Sequence, residues 1–155
     1  MTIGLFIGRF QPLHIGHVGA IEQALKQVDM LIIGIGSSEK HGTDDNPFTF
    51  EERMQMIKSV FPKRKIFAIP DIDDDSKWIA YVEKIVGRFD IVFSGNPNTI
   101  KLFQEAGHKT KAVKFHHKVN ATTIRSLIAK GDGSWKKMVP ASVVKIIVQS
   151  QSKGF

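Results

Sequence analysis

Cysteine is absent from these 155 residues, tyrosine occurs once, and acidic side chains nearly vanish beyond position 100. The first absence excludes disulfides, thiolate nucleophiles and zinc sites built on cysteine. No apolar run approaches the roughly 20 residues that a membrane-spanning helix needs, the longest being residues 30–35. The first ten residues have no basic stretch ahead of an apolar one and no small-residue cleavage site, so no signal peptide is expected. No Gly-Lys pair occurs, which removes a Walker-type phosphate loop. Gly34-Ile35-Gly36 lacks the third glycine of a dinucleotide fingerprint because Glu39 stands in its place. These absences lead to the expectation of a soluble, cytoplasmic protein.

The shortage of acid is local. Residues 1–100 carry 11 Lys+Arg against 13 Asp+Glu, whereas residues 101–155 carry 11 against 2. The net charge of +7 is therefore a balance of −2 followed by one of +9. A basic last third suits a polyanionic partner, either nucleic acid or a phosphorylated small molecule, and equally suits a solvated surface. The chain has 42% apolar residues, ordinary for a globular protein, and its length suits one domain spanning residues 1–155.

Short apolar runs at residues 3–7, 30–35, 66–69 and 91–93 read as strands, with a weaker fifth at 112–115. Helical patterns separate them at 15–27, from Thr49 to Pro62, at 76–86 and up to about Ala106, and two more follow at 122–130 and 141–150. Ile15, Val18, Ile21 and Leu25 are spaced for one buried face. Thr49 suits an N-cap, with Glu51 and Glu52 favouring the first-turn dipole. Strands alternating with helices predict an α/β fold, a three-layer Rossmann-like domain whose parallel sheet of about five strands carries helices on both faces. Such sheets bind ligands beyond the carboxyl ends of their strands, so chemistry is expected there.

Strand one ends in Gly8-Arg9-Phe10-Gln11-Pro12-Leu13-His14-Ile15-Gly16-His17. Glycine admits close backbone approach, and a helix start offers unpaired N–H groups and partial positive charge. His14 and His17, three apart, project from one face. This pair suits phosphate oxygens; core packing, capping or a metal pair are the other readings of two such histidines.

The segment resembles the signature of the H-x-G-H nucleotidyltransferase superfamily. The rest of the chain resembles its archaeal-type nicotinamide mononucleotide adenylyltransferases, through Asn46-Pro47-Phe48-Thr49 with Glu52-Arg53, Trp78, Ser94-Gly95-Asn96-Pro97, Ala121-Thr122-Thr123-Ile124-Arg125, and Trp135 with Val139-Pro140. The resemblance implies transfer of AMP from ATP to the 5′-phosphate of nicotinamide mononucleotide, giving NAD and pyrophosphate. It implies that His14, His17 and Arg125 are catalytic and that Gly8, Arg9, Phe10, Gly95, Asn96 and Thr122 join them in holding ATP. Trp78 would stack on nicotinamide and Asp75 would accept from its carboxamide, repelling the carboxylate of the acid mononucleotide. Mg²⁺ would accompany ATP through substrate oxygens and water, with no protein ligand. A homo-oligomer, no nucleic acid and no membrane are also implied.

Departures from the family pattern are Asn120 for the usual Ser, Ser126 and Leu127 where further Arg is common, and Asp75 where Asn is frequent. Asp71, Asp73, Asp74 and Asp75 read as a solvated loop and helix start, His116-His117 as surface, and His41 as a loop residue of no fixed role. Two other readings stay open. One keeps the superfamily and changes the acceptor, to pantetheine phosphate or to an alcohol phosphate in a cytidylyl transfer. The other is a non-catalytic nucleotide- or RNA-binding module using the basic last third.

Overall fold

A computed structural model describes residues 1–115 and 118–152. Five strands, β1 (Ile3–Gly8), β2 (Met30–Gly36), β3 (Lys65–Ile69), β4 (Ile91–Ser94) and β5 (Lys109–Ala112), form one sheet in the order β3-β2-β1-β4-β5, every pair parallel. Six helices connect and follow them: α1 (Ile15–Leu25), α2 (Phe50–Val60), α3 (Asp75–Val86), α4 (Pro97–Glu105), α5 (Ala121–Ala129) and α6 (Ala141–Ser152). The Rossmann-like fold expected from strand and helix alternation is the one found.

Side-chain alternation along β1 divides the interior. Phe6 joins Ile21, Met56, Ile57, Ile124 and Ile147 in a cluster beneath α1, α2, α5 and α6. Leu5 and Ile7 point the other way, to Ile79, Val82 and Phe103 of α3 and α4. Both faces of the central strands are thus dry, which is why they read as unbroken apolar runs. The chain leaves β1 towards β2 and later returns on its other side as β4, so the strand order reverses at β1 and opens a crevice above its carboxyl end.

Three expectations shift. The fifth strand lies at Lys109–Ala112 rather than 112–115, because pairing places Ile91 opposite Lys109 and Ser94 opposite Ala112. As an exposed edge it needs no apolar side chains, and its lysines discourage further pairing. Helix α1 stops at Leu25, where Lys26 N–H donates to the Gln23 carbonyl and Gln27 N–H to that of Ala24. Its buried face is Gly16, His17, Ala20, Ile21 and Ala24, with Ile15, Val18 and Leu25 flanking it, since small residues let the helix lie close to the sheet. Thr49 caps α2 as expected: its hydroxyl accepts from Glu52 N–H while the Glu52 carboxylate accepts from Thr49 N–H. A 3₁₀ turn, Gly133–Lys137, buries Trp135, and the following Met138 carbonyl accepts Ile15 N–H at the start of α1. Among the described residues no helix is long and apolar enough to cross a membrane.

Candidate active site

A cleft runs along the carboxyl ends of β2, β1 and β4. Its walls include Gly8, Arg9, Phe10, His14, His17, Asp75, Trp78, Gly95, Asn96 and Arg125. The turn after β1 is built tightly. Phe10 takes a positive φ of 55° and tucks its ring beneath Gly8, where a Cβ would come within 3.1 Å of it. Gln11 is buried and clamps both polar groups of the Phe48 backbone, its amide donating to the carbonyl and its oxygen accepting from N–H, each at 2.9 Å. The turn is thereby tied to the segment before α2.

His14 and His17 cap each other. His14 Nδ1 accepts from the His17 backbone N–H at 3.3 Å, and His17 Nδ1 accepts from the His14 N–H at 3.1 Å. The rings stack 3.6 Å apart. With both Nδ1 lone pairs engaged, the proton of each neutral ring is assigned to Nε2. Burial pushes the pKa of His14 from 6.5 down to about 4, and burial together with the neighbouring His14 pushes that of His17 well below its usual value. At neutral pH the pair is two uncharged N–H donors, held at the start of a helix whose dipole favours an anion. The packing and capping readings of the pair are thus part of how it is positioned.

Charge comes from arginine. Arg125, on α5, donates Nη1 to the Gln11 carbonyl at 2.8 Å and Nη2 to the Thr122 hydroxyl at 3.3 Å. Its pKa is lowered by burial and then by Arg9. Arg9 itself donates to Asn46 Oδ1 at 3.1 Å. Two guanidinium groups lining one cleft make it a place of positive potential that an anion would offset. Thr122 is not on the cleft wall and serves Arg125 instead, whereas Asn120 and Ala121 are on it. Asn120 caps α5, its Oδ1 accepting from Thr123 N–H at 2.8 Å, so the replacement of Ser by Asn keeps the cap.

The two ends of the cleft differ. At one, Gly95 and Asn96 follow β4; Asn96 Oδ1 caps α4 by accepting from Asn98 N–H at 2.9 Å, which leaves its amide free of that bond. At the other, Trp78 is half-buried with its ring edge-on to Phe103 at 5.6 Å, and Asp75 lies one turn earlier on α3. Asp74 caps this helix, while Asp71 accepts from the Ser37 hydroxyl at 2.9 Å and pairs with Lys40 at 3.1 Å. Among the described residues no three His, Cys, Asp or Glu side chains converge to hold a metal ion. His41 is exposed in the loop before Asn46, off the cleft wall, and His116-His117 lie outside the described residues.

Phe115 and Arg53 are functional candidates that sequence reasoning missed. The Phe115 ring lies edge-on to both histidines, at 5.4 and 5.2 Å. It fits a slot made by two glycines: a Cβ on Gly16 would meet it at 3.1 Å and one on Gly95 at 3.2 Å. Its position in an irregular basic stretch gave no periodic signal. Arg53 was visible only as part of Glu52-Arg53, and a single arginine on a helix carries no local mark of burial.

The profile of the cytidylyltransferase-like family matches residues 5–84. Among curated proteins, the nicotinamide-nucleotide adenylyltransferase of Thermococcus sibiricus is 44% identical over 153 residues, covering 93% of this chain and 82% of the relative. That of Saccharolobus solfataricus is 39% identical over 158 residues, covering 96% and 91%. Among solved structures, a bifunctional NMN adenylyltransferase/ADP ribose pyrophosphatase from Francisella tularensis, complexed with AMP and a manganese ion, superposes with a TM-score of 0.72 at 29% identity. It covers 89% of this chain, which spans 44% of that longer protein. With the H-x-G-H pair in place above the sheet reversal and relatives of this identity along nearly the whole chain, the protein belongs to the cytidylyltransferase-like family and, within it, to the nicotinamide-nucleotide adenylyltransferases.

Proposed function

We propose that this chain transfers the adenylyl group of ATP to the 5′-phosphate of nicotinamide mononucleotide, releasing NAD and pyrophosphate, with residues 1–155 acting as one nucleotidyltransferase domain. The reciprocal capping of His14 and His17 is the observation that supports it most directly. It leaves two Nε2–H donors beside Arg9 and Arg125 in one cleft. An oxygen of the acceptor phosphate forms a bond to the α-phosphorus as the bond to the pyrophosphate oxygen breaks. The acceptor is already an anion, so no general base is needed. Catalysis reduces to holding two anions in line and offsetting charge on the transferred phosphoryl and the leaving group. His14 and His17 donate to phosphate oxygens, and Arg125 and Arg9 supply the countercharge.

ATP occupies the end lined by Gly95 and Asn96 and reaches its triphosphate past Gly8 and Phe10 towards the start of α5, with Thr122 orienting Arg125. Nicotinamide mononucleotide occupies the other end, its ring on Trp78 and its carboxamide donating to Asp75. A divalent cation accompanying ATP would offset triphosphate charge, and no side chain of this chain is assigned to hold it. The surplus lysines of the last third are a solvated surface rather than a nucleic-acid site, and the protein works as a homo-oligomer in the cytoplasm.

Pyrophosphate release from MgATP with a panel of acceptors tests the reading. Turnover with nicotinamide mononucleotide is expected. Release with pantetheine phosphate or an alcohol phosphate, and none with nicotinamide mononucleotide, would overturn it.

A further inference from the structure

Arg53 has no exposed surface, and among the described residues no carboxylate pairs with it at salt-bridge distance. Its guanidinium is satisfied by main-chain carbonyls. Nη1 donates to Arg9 at 3.1 Å and Gly36 at 3.0 Å; Nη2 donates to Ser37, Ser38 and Lys40 at 3.2–3.3 Å; and Nε donates to Thr49 at 3.2 Å. One side chain on α2 therefore grips the segments that leave β1 and β2, on the two strands that floor the acceptor half of the cleft.

The carbonyls it selects are informative. Only two non-glycine residues among those described have positive φ, Phe10 at 55° and Ser37 at 46°. Both conformations are disfavoured for residues with a Cβ and persist only where neighbours over-determine them. The carbonyls of Arg9 and Gly36 belong to the peptide units that enter Phe10 and Ser37, and the same Nη1 holds both. Phe10 supports His17 from below, with ring centroids 4.9 Å apart, and Ser37 bonds Asp71, which follows β3.

We infer that Arg53 is a positioning residue for adenylyl transfer: it locks the two left-handed turns after β1 and β2 in register, so that Arg9 and the histidine pair face the cleft at fixed geometry. The guanidinium suits this role because its flat fork reaches carbonyls on opposite sides, which a tetrahedral ammonium does not. Because lysine retains the positive charge and loses the fork, Arg53→Lys separates geometry from electrostatic attraction.

This inference rests on the proposed reaction, and the assay distinguishes the two. Arg53→Lys is compared with wild type in pyrophosphate release, with folding followed by circular dichroism and ATP affinity by calorimetry without acceptor. We expect a folded variant whose kcat falls at least 30-fold while ATP affinity changes less than fivefold. A folded variant with wild-type kcat, or one whose loss lies wholly in ATP affinity, overturns the assignment. If Arg53→Lys does not fold, the Arg53 Nη signals of the wild-type protein decide by NMR. Hindered, slowly exchanging signals that shift when ATP is added support positioning, and freely rotating signals indifferent to ATP overturn it. A wild-type protein inactive with nicotinamide mononucleotide defeats the proposed reaction alone, and the ATP-dependent NMR measurement still judges Arg53.

Discussion

Two histidines buried as neutral rings couple this protein's stability to pH. Each has a folded-state pKa below its unfolded value, His14 at about 4 through burial and His17 well below its usual value through burial and the neighbouring His14. The unfolded chain binds protons near pH 6.5, so it gains on the folded state as pH falls below that value. Their contribution is complete above 6.5 and shrinks as pH falls below it, for His14 by about 1.4 kcal/mol per pH unit down to about 4. Denaturation midpoints measured from pH 7 to pH 4 should fall accordingly. His14→Asn keeps a good cap residue and removes one titrating ring. It should flatten that slope while lowering kcat about 10²–10³-fold, the usual cost of losing one transition-state donor. Arg125→Ala should lower kcat comparably with the fold intact, and wild-type turnover in either variant would place the phosphate site elsewhere. At the opposite end of the cleft, Asp75→Asn should narrow the expected preference for nicotinamide over nicotinic acid mononucleotide. Equal kcat/KM for the two substrates in the wild-type protein would remove Asp75 from that role.

Elements differ in how openly they announce themselves, and β1 and β5 mark the extremes. Strand β1 is dry on both faces, so residues 3–7 stood out as apolar and only Gly8 was missed at its end. Inside it, Gly4 packs where a Cβ would come within 2.9 Å of Phe93 and 3.1 Å of Leu31 and Val28. Gly4→Ala should therefore destabilise by about 1–3 kcal/mol, the ordinary range for overpacking, as a urea midpoint shift would show. Strand β5 exists because β4 lends it a ladder, and Lys109, Thr110 and Lys111 give no apolar signal to read. Helix α2 was legible from its capping box, yet nothing local showed that Arg53 turns inward, since its acceptors come from three separate segments. The turn after β1 stood out in the sequence through its glycine, arginine and histidines, and the structure places them on one cleft. The reciprocal histidine cap and the Gln11 clamp emerged only once the chain had folded around them.

At the scale of the molecule, charge and topology act together. Arg9 and Arg125 line one crevice and concentrate positive potential there, and burial followed by the neighbouring Arg9 lowers the pKa of Arg125. The affinity for ATP should weaken as ionic strength rises, and a KM for ATP unchanged between 50 mM and about 500 mM salt would contradict an electrostatic role for them. The reversal of strand order at β1 also has a hereditary side. On the proposed assignment, the wall facing the acceptor is written in residues 36–78 and the wall facing the donor in residues 94–125, with the histidines supplied by the segment that precedes both. Each wall is an uninterrupted stretch of the sequence. Drift or recombination within one stretch can change which phosphate is adenylylated while the nucleotide that supplies the adenylyl group keeps its own wall untouched.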